Sequence, residues 1–83
     1  MKILVRNLER TVPQAELLKL FQQHGTVADC TIIMDAATGK SKGFAFVDMP
    51  NAREGVKAVK GLNTLRLHGH GIRVKIAEEK PEA

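Results

Sequence analysis

The chain has 83 residues, 43% of them hydrophobic and 27% charged, which is enough for one small core and too apolar for a disordered tail. Its net charge is +4, and without the last six residues twelve basic side chains face six acidic ones, a balance that favours an anionic partner. A single cysteine, Cys30, excludes an internal disulfide framework, and neither a signal peptide nor an apolar run of membrane-spanning length is recognisable, so a reduced, cytoplasmic protein without membrane association is expected.

Lys2 to Leu8 reads as a strand, with Ile3 and Val5 on one side and Leu4 and Arg6 on the other. Thr11 to Gln23 reads as a helix: Thr11 and Gln14 have capping-box spacing, Pro13 suits a first turn, and Leu17, Leu18, Leu20 and Phe21 form an apolar stripe that Gly25 ends. Val27 to Met34 is a second strand, with Cys30 and Ile32 inward and Thr31 and Ile33 outward. A polar loop with Gly39 as its turn residue covers Asp35 to Ser41.

The third strand, Lys42 to Met49, carries the most informative pattern. Its residues run Lys42-Gly43-Phe44-Ala45-Phe46-Val47-Asp48-Met49. Alternation puts Ala45, Val47 and Met49 on an apolar face, and Lys42, Phe44 and Phe46 on the opposite one. Bare rings beside a cation are an unusual use of apolar area on a sheet, and they suit stacking on nucleobases. Asn51 then caps a second helix, with Glu54 at capping-box spacing and Ala52, Val56, Val59 and Leu62 on its apolar side, ending near Gly61. Leu65 to Gly71 suggests a short hairpin. Ile72 to Ala77 is a last strand, with Ile72, Val74 and Ile76 inward and Arg73 and Lys75 outward. The remainder, from Glu78, is expected to be a charged, mobile tail outside a single domain spanning 1–77.

The order β-α-β-β-α-β predicts an α+β ferredoxin-like sandwich: a four-stranded antiparallel sheet with two helices on one face and the other face open. The outward residues assemble an apolar centre, Leu4, Ile33, Phe44 and Phe46, with Arg6, Lys42, Arg73 and Lys75 around it.

Over about residues 2–77 the chain resembles the RNA recognition motif family. Lys42 to Met49 follows its third-strand signature of basic, Gly, aromatic, Gly/Ala, Phe, Val, any, aromatic, except that Met49 stands at the final aromatic. Ile3-Leu4-Val5-Arg6-Asn7-Leu8 is similar to its first-strand signature, Leu17, Phe21 and Gly25 match its first helix, and the compactness is similar to small stand-alone bacterial members. The resemblance implies a single-stranded RNA ligand, with Phe46 stacking on a base, Phe44 against ribose or a neighbouring base, and Lys42 on the phosphates. Arg73 and Lys75 would lie near further bases, and Lys40 would add charge from the loop.

Two departures stand out. Leu4 occupies a position that is usually aromatic, which removes a stacking ring, so modest affinity and loose sequence preference are expected. Met49 replaces a core packer and should bear on stability more than on binding.

The expected RNA-binding residues are therefore Leu4, Arg6, Ile33, Lys40, Lys42, Phe44, Phe46, Arg73 and Lys75. Single-stranded DNA and a protein are further candidate partners, the chain is expected to be a monomer, and no cofactor or metal is implied. The competing reading is a protein-interaction module using the same sheet face or the second helix.

Other motifs carry less. Ala37-Thr38-Gly39-Lys40-Ser41 imitates the end of a phosphate-binding loop, but Met34 stands where its first glycine belongs and a strand follows. His68-Gly69-His70-Gly71 reads as a turn, with no carboxylate nearby in sequence to complete a metal site. The acidic residues Glu9, Glu16, Asp29, Asp48 and Glu54 are scattered, with no pair expected to converge, so no catalytic acid–base machinery is evident and an enzyme is not expected.

Overall fold

A computed structural model describes residues 1–77, so the expected charged tail lies outside the described residues. The elements run β1 (Lys2–Arg6), α1 (Gln14–Gln22), β2 (Asp29–Met34), β3 (Ser41–Asp48), α2 (Ala52–Leu62), β4 (Arg66–Leu67), β5 (His70–Gly71) and β6 (Arg73–Ile76). The four long strands form an antiparallel sheet in the order β2-β3-β1-β6, and β4 and β5 form the separate small hairpin. This is the expected plan, with α1 packed against β2 and α2 against β6.

The alternation of β1 has the anticipated consequence: Ile3 and Val5 are fully buried, whereas Leu4 between them is half-buried. Ala45 and Val47 from β3, Leu17 and Phe21 from α1, and Ala58 and Leu62 from α2 complete the core under the sheet. Met49 is fully buried within it, so this departure from the family signature falls in the core and away from the open face. Cys30 is buried too, and burial pushes its thiol pKa up. No helix among the described residues is long and apolar enough to cross a membrane.

Several local expectations are corrected. Helix α1 begins at Gln14, its N-cap is Pro13, and no side chain caps it. Thr11 is drawn away because its backbone N–H and its hydroxyl both donate to the Glu9 carboxylate, while Gln14 Oε1 accepts from the Ile32 N–H at 3.3 Å. A side chain used in a tertiary contact is lost to the cap. Asn51 does cap α2, accepting from the N–H groups of Arg53 and Glu54 at 2.9 and 3.2 Å. The other half of that capping box is missing: Glu54 accepts from the Thr26 N–H at 2.9 Å. Gly25 allows this approach, since a Cβ there would run into the Glu54 side chain.

Strand β2 starts two residues later than expected, at Asp29, although the Ala28 N–H already donates to the Asp48 carbonyl at 2.8 Å. Strand β6 spans only Arg73–Ile76, and Ile76, expected inward, is 44% exposed. It keeps the inward parity, opposite buried Ile3, but lies at the end of an edge strand where the core layer stops.

Candidate nucleic-acid interface

The register across the sheet turns side-chain parity into a map. Thr31, Phe46, Leu4 and Lys75 form one row across all four strands: Phe46 is opposite both Thr31 and Leu4, and Leu4 is also opposite Lys75. In the direction of the β3 start, Arg6 and Arg73 are Cα partners, with Phe44 and Lys42 successively further along β3. In the other direction Asp48 is opposite both Asp29 and Lys2. The face thus has an apolar centre and a basic end, while at the other end Asp29 and Asp48 are offset by Lys2 and by the N-terminal ammonium, 3.5 Å from Asp48.

Phe44 and Phe46 are only partly buried, unlike the inward Ala45 and Val47, which are fully covered. Their ring centroids are 6.4 Å apart and their planes are perpendicular. A single flat ligand therefore cannot lie parallel to both. One ring takes a face and the other bounds it from the side, a division that an edge-to-face pair holds without strain.

Gly43 sets up this arrangement. Its φ is +89, a conformation that side-chain-bearing residues rarely adopt, and its carbonyl accepts from the Leu8 N–H at 2.9 Å. The β3 chain is thereby turned and tied to the end of β1 immediately before Phe44. The register between β2 and β3 also shifts between Ile32 and Met34. Ile33, at that shift, lines a cleft of about 330 Å³ beside Phe46, together with Lys2, Asp29 and Thr31.

The expected residues Leu4, Arg6, Lys42, Phe44, Phe46, Arg73 and Lys75 share one face, and Ile33 reaches it from β2. Lys40 lies off the sheet in the β2–β3 loop, which turns back on itself through Gly39 N–H to Asp35 carbonyl and Asp35 N–H to Lys40 carbonyl bonds, both 2.7 Å. It lines a second cleft, of about 530 Å³, with Lys42, Phe44 and Arg10. Sequence reasoning missed Arg10, because a loop residue has no strand parity to place it. Lys2, Asp29 and Asp48 were also missed as members of the open face, although even spacing from Leu4, Thr31 and Phe46 marks them.

The acidic residues are less scattered than expected. His68 Nε2 lies 2.9 Å from one carboxylate oxygen of Glu16, and Nδ1 lies 3.0 Å from the Thr11 hydroxyl and 3.9 Å from Glu9. The hydrogen bonds from Thr11 hold the Glu9 carboxyl below its ordinary pKa. Sequence distance concealed this cluster, since residues 9, 16 and 68 meet only when the β4–β5 hairpin folds against the start of α1. The two carboxylates approach opposite nitrogens of one ring and do not aim at a common point. Among the described residues no group of three His, Cys, Asp or Glu side chains could hold a metal ion. His68 and Gly69 have φ values of +52 and +88, in keeping with the turn reading.

The family model described as RNA recognition motif matches residues 3–73. The chain is 40% identical over 79 residues to "RNA-binding protein CP31B, chloroplastic" of Arabidopsis thaliana, a match covering 95% of this chain and 27% of that protein. It is 38% identical over 80 residues to "28 kDa ribonucleoprotein, chloroplastic" of Spinacia oleracea, covering 96% of this chain and 34% of that one. The chain therefore spans about a quarter to a third of these relatives. Among solved structures, "RNA Binding Protein PG1" superposes with a TM-score of 0.91 at 38% identity, covering 99% of each chain. A chain of the "SXL-LETHAL PROTEIN/RNA COMPLEX" superposes with a TM-score of 0.89 at 31% identity, covering 98% of this chain and 48% of that one.

The chain belongs to the RNA recognition motif family. The expectation of a cytoplasmic protein is overturned, because these relatives are named as chloroplastic. That expectation rested on composition and one cysteine, and these do not distinguish one thiol-reducing compartment from another.

Proposed function

We propose that this RNA recognition motif binds single-stranded RNA across the open face of its sheet. The observation that carries the reading is the pair of partly exposed, mutually perpendicular rings, Phe44 and Phe46, at the centre of a face whose basic end presents Arg6, Lys42 and Arg73. Support also comes from relatives named as RNA-binding and ribonucleoprotein, and from structural likeness to a chain solved in an RNA complex.

In this reading Phe46 offers its face to a base, Leu4 and Ile33 extend the apolar floor, and Phe44 bounds the base from the side against ribose. Lys42, Arg6, Arg73, Lys75 and Lys40 meet the phosphates. Unpaired bases are the target, because the deep, narrow major groove of an RNA duplex does not admit such a face. One stacked base contributes about 1–3 kcal/mol, and leucine at position 4 gives dispersion without a ring, so affinity is modest and sequence preference loose. Single-stranded DNA offers the same bases and phosphates to these groups.

The test is an NMR titration of the labelled protein with short single-stranded RNAs at low and at higher salt. Shifts are expected at Leu4, Lys42, Phe44, Phe46 and Arg73, shrinking as salt rises. No shifts from a mixed-sequence pool, with the protein folded, would refute the reading and direct attention to a protein partner on the same face.

A further inference from the structure

Among the described residues the sheet has two outer edges, β2 on one side and β6 on the other. An outer strand carries backbone N–H and C=O groups that face away from its neighbour, and these can take up a further strand. The two edges are covered in different ways.

At β6 the chain covers its own edge. The Ile72 N–H donates to the Leu65 carbonyl at 2.9 Å, and the Ile72 carbonyl accepts from the Thr64 N–H at 2.7 Å. The Val74 N–H donates to Asn63 Oδ1 at 3.0 Å. Residues 63–65 thus run along the outside of this edge, and a strand approaching there meets backbone already in place.

At β2 the cover is a side chain. The Asp48 carbonyl accepts from the Ala28 N–H, so the backbone of Asp48 faces β2, and alternation gives Phe46 the same direction. Thr31, the partner of Phe46, faces it in return. Cys30 and Ile32, on either side of Thr31, therefore point their N–H and C=O groups outward. The Ile32 N–H donates to Gln14 Oε1 at 3.3 Å, slightly beyond the usual range of about 2.7–3.2 Å. Gln14 is exposed in the first turn of α1, so it can release this bond without disturbing the core. The strand Asp29–Met34 carries one charge, and Met34 at its end is 56% exposed. A weakly charged edge with two adjacent isoleucines is of the kind that pairs with its like.

We propose that Gln14 is the guard that keeps β2 from pairing with the β2 of a second copy of this chain. A second copy fits because antiparallel pairing of β2 with itself is two-fold symmetric. With Thr31 on the axis, Cys30 of each copy lies opposite Ile32 of the other, and each such pair exchanges two hydrogen bonds. The joined sheets place the two open faces side by side. With Gln14 in place, that pairing first costs the Ile32 hydrogen bond, and the chain stays monomeric.

The experiment measures mass against concentration by light scattering for the full chain and its Gln14→Met and Gln14→Glu variants. Methionine matches the length of glutamine without its oxygen, whereas glutamate keeps an acceptor. The wild type and Gln14→Glu should remain monomeric. Gln14→Met should dimerise with an association constant at least about tenfold larger, the scale of one net hydrogen bond. Adding Thr31→Lys should restore the monomer, because it sets like charges opposite each other on the axis. Amide exchange at Ile32 should quicken in dilute Gln14→Met, and Cys30 and Ile32 should both become protected as the dimer forms. A merely structural role would lower the urea midpoint and leave the mass unchanged.

A folded Gln14→Met that stays monomeric at every concentration overturns the proposal, as does a wild type already dimeric through Cys30 and Ile32. A dimer indifferent to Thr31→Lys, or without protection at those amides, places the contact elsewhere and also overturns it. If Gln14→Met does not fold, Gln14→Ala, which lacks the oxygen and favours the helix, must give the same dimer. Loss of the fold in both would make Gln14 a residue of the fold and overturn the guard.

Discussion

Arg6 on β1 and Arg73 on β6 are directly opposite each other in the sheet, both on the open face. Like charges in that relationship are destabilising, by a fraction of a kcal/mol up to about 1 kcal/mol. Nothing in the fold requires cations at both positions, whereas a phosphate between them would relieve the repulsion. Arg73→Gln should therefore raise the urea midpoint of the free protein slightly while weakening RNA and lowering the salt slope by about 0.7. Lower stability together with unchanged RNA affinity would show that the pair serves the fold.

Phe46 is opposite Leu4 and Thr31 and is only partly buried. Phe46→Ala should weaken single-stranded RNA by about 1–3 kcal/mol, a loss of roughly tenfold or more. Stability should fall less than for truncation of a buried ring, about 3–5 kcal/mol. Anisotropy and urea titrations on the same sample separate the two effects. Wild-type affinity in the variant would remove Phe46 from the stacking role.

Leu4 lies between Phe46 and Lys75, half-buried on the open side, so a ring there would extend over the face without entering the core. Leu4→Phe or Leu4→Tyr should tighten RNA binding by up to about 1–3 kcal/mol, the contribution of one additional stacked base. Unchanged affinity in both variants would mean that bases do not pass over β1.

The Glu9 carboxyl is held below its ordinary pKa, first by the hydrogen bond from the Thr11 hydroxyl and then by the Thr11 N–H. A group whose pKa is lower folded than unfolded contributes stability above its unfolded pKa and loses it as pH falls through the folded value. Glu9 should thus contribute at neutral pH and cease to do so on acidification through and below the ordinary carboxylate range. Glu9→Gln should flatten the fall in urea midpoint over that window. An identical pH profile in the variant would show that other carboxylates account for the whole slope.

Legibility in the sequence differed by element. The strands β1 and β3 were readable because a period of two admits only two assignments, and Ile3, Val5, Ala45 and Val47 settle which face is inward. The same parity yields the open-face residues Leu4, Arg6, Phe44 and Phe46. The cap of α2 was readable because Asn51 acts within its own turn. The cap expected of Thr11 failed because Glu9 takes the Thr11 N–H that Gln14 would have accepted from and the helix starts only at Gln14, and the capping role of Glu54 failed because Thr26, distant in sequence, donates its N–H to that carboxylate. Local pattern carries no information about such competitors.

The sequence by itself determined the fold family, the two faces of the sheet and the identity of its exposed rings, because these follow from alternation and from one short signature. Only the tertiary structure decided the perpendicular arrangement of Phe44 and Phe46, the opposition of Arg6 and Arg73, the convergence of Glu9 and Glu16 on His68, and the position of Arg10 beside Lys40. Periodicity fixes the side on which a residue lies. Distances between side chains on different elements depend on strand register, on the left-handed turn at Gly43 and on the paths of loops, and these are set by packing of the whole chain.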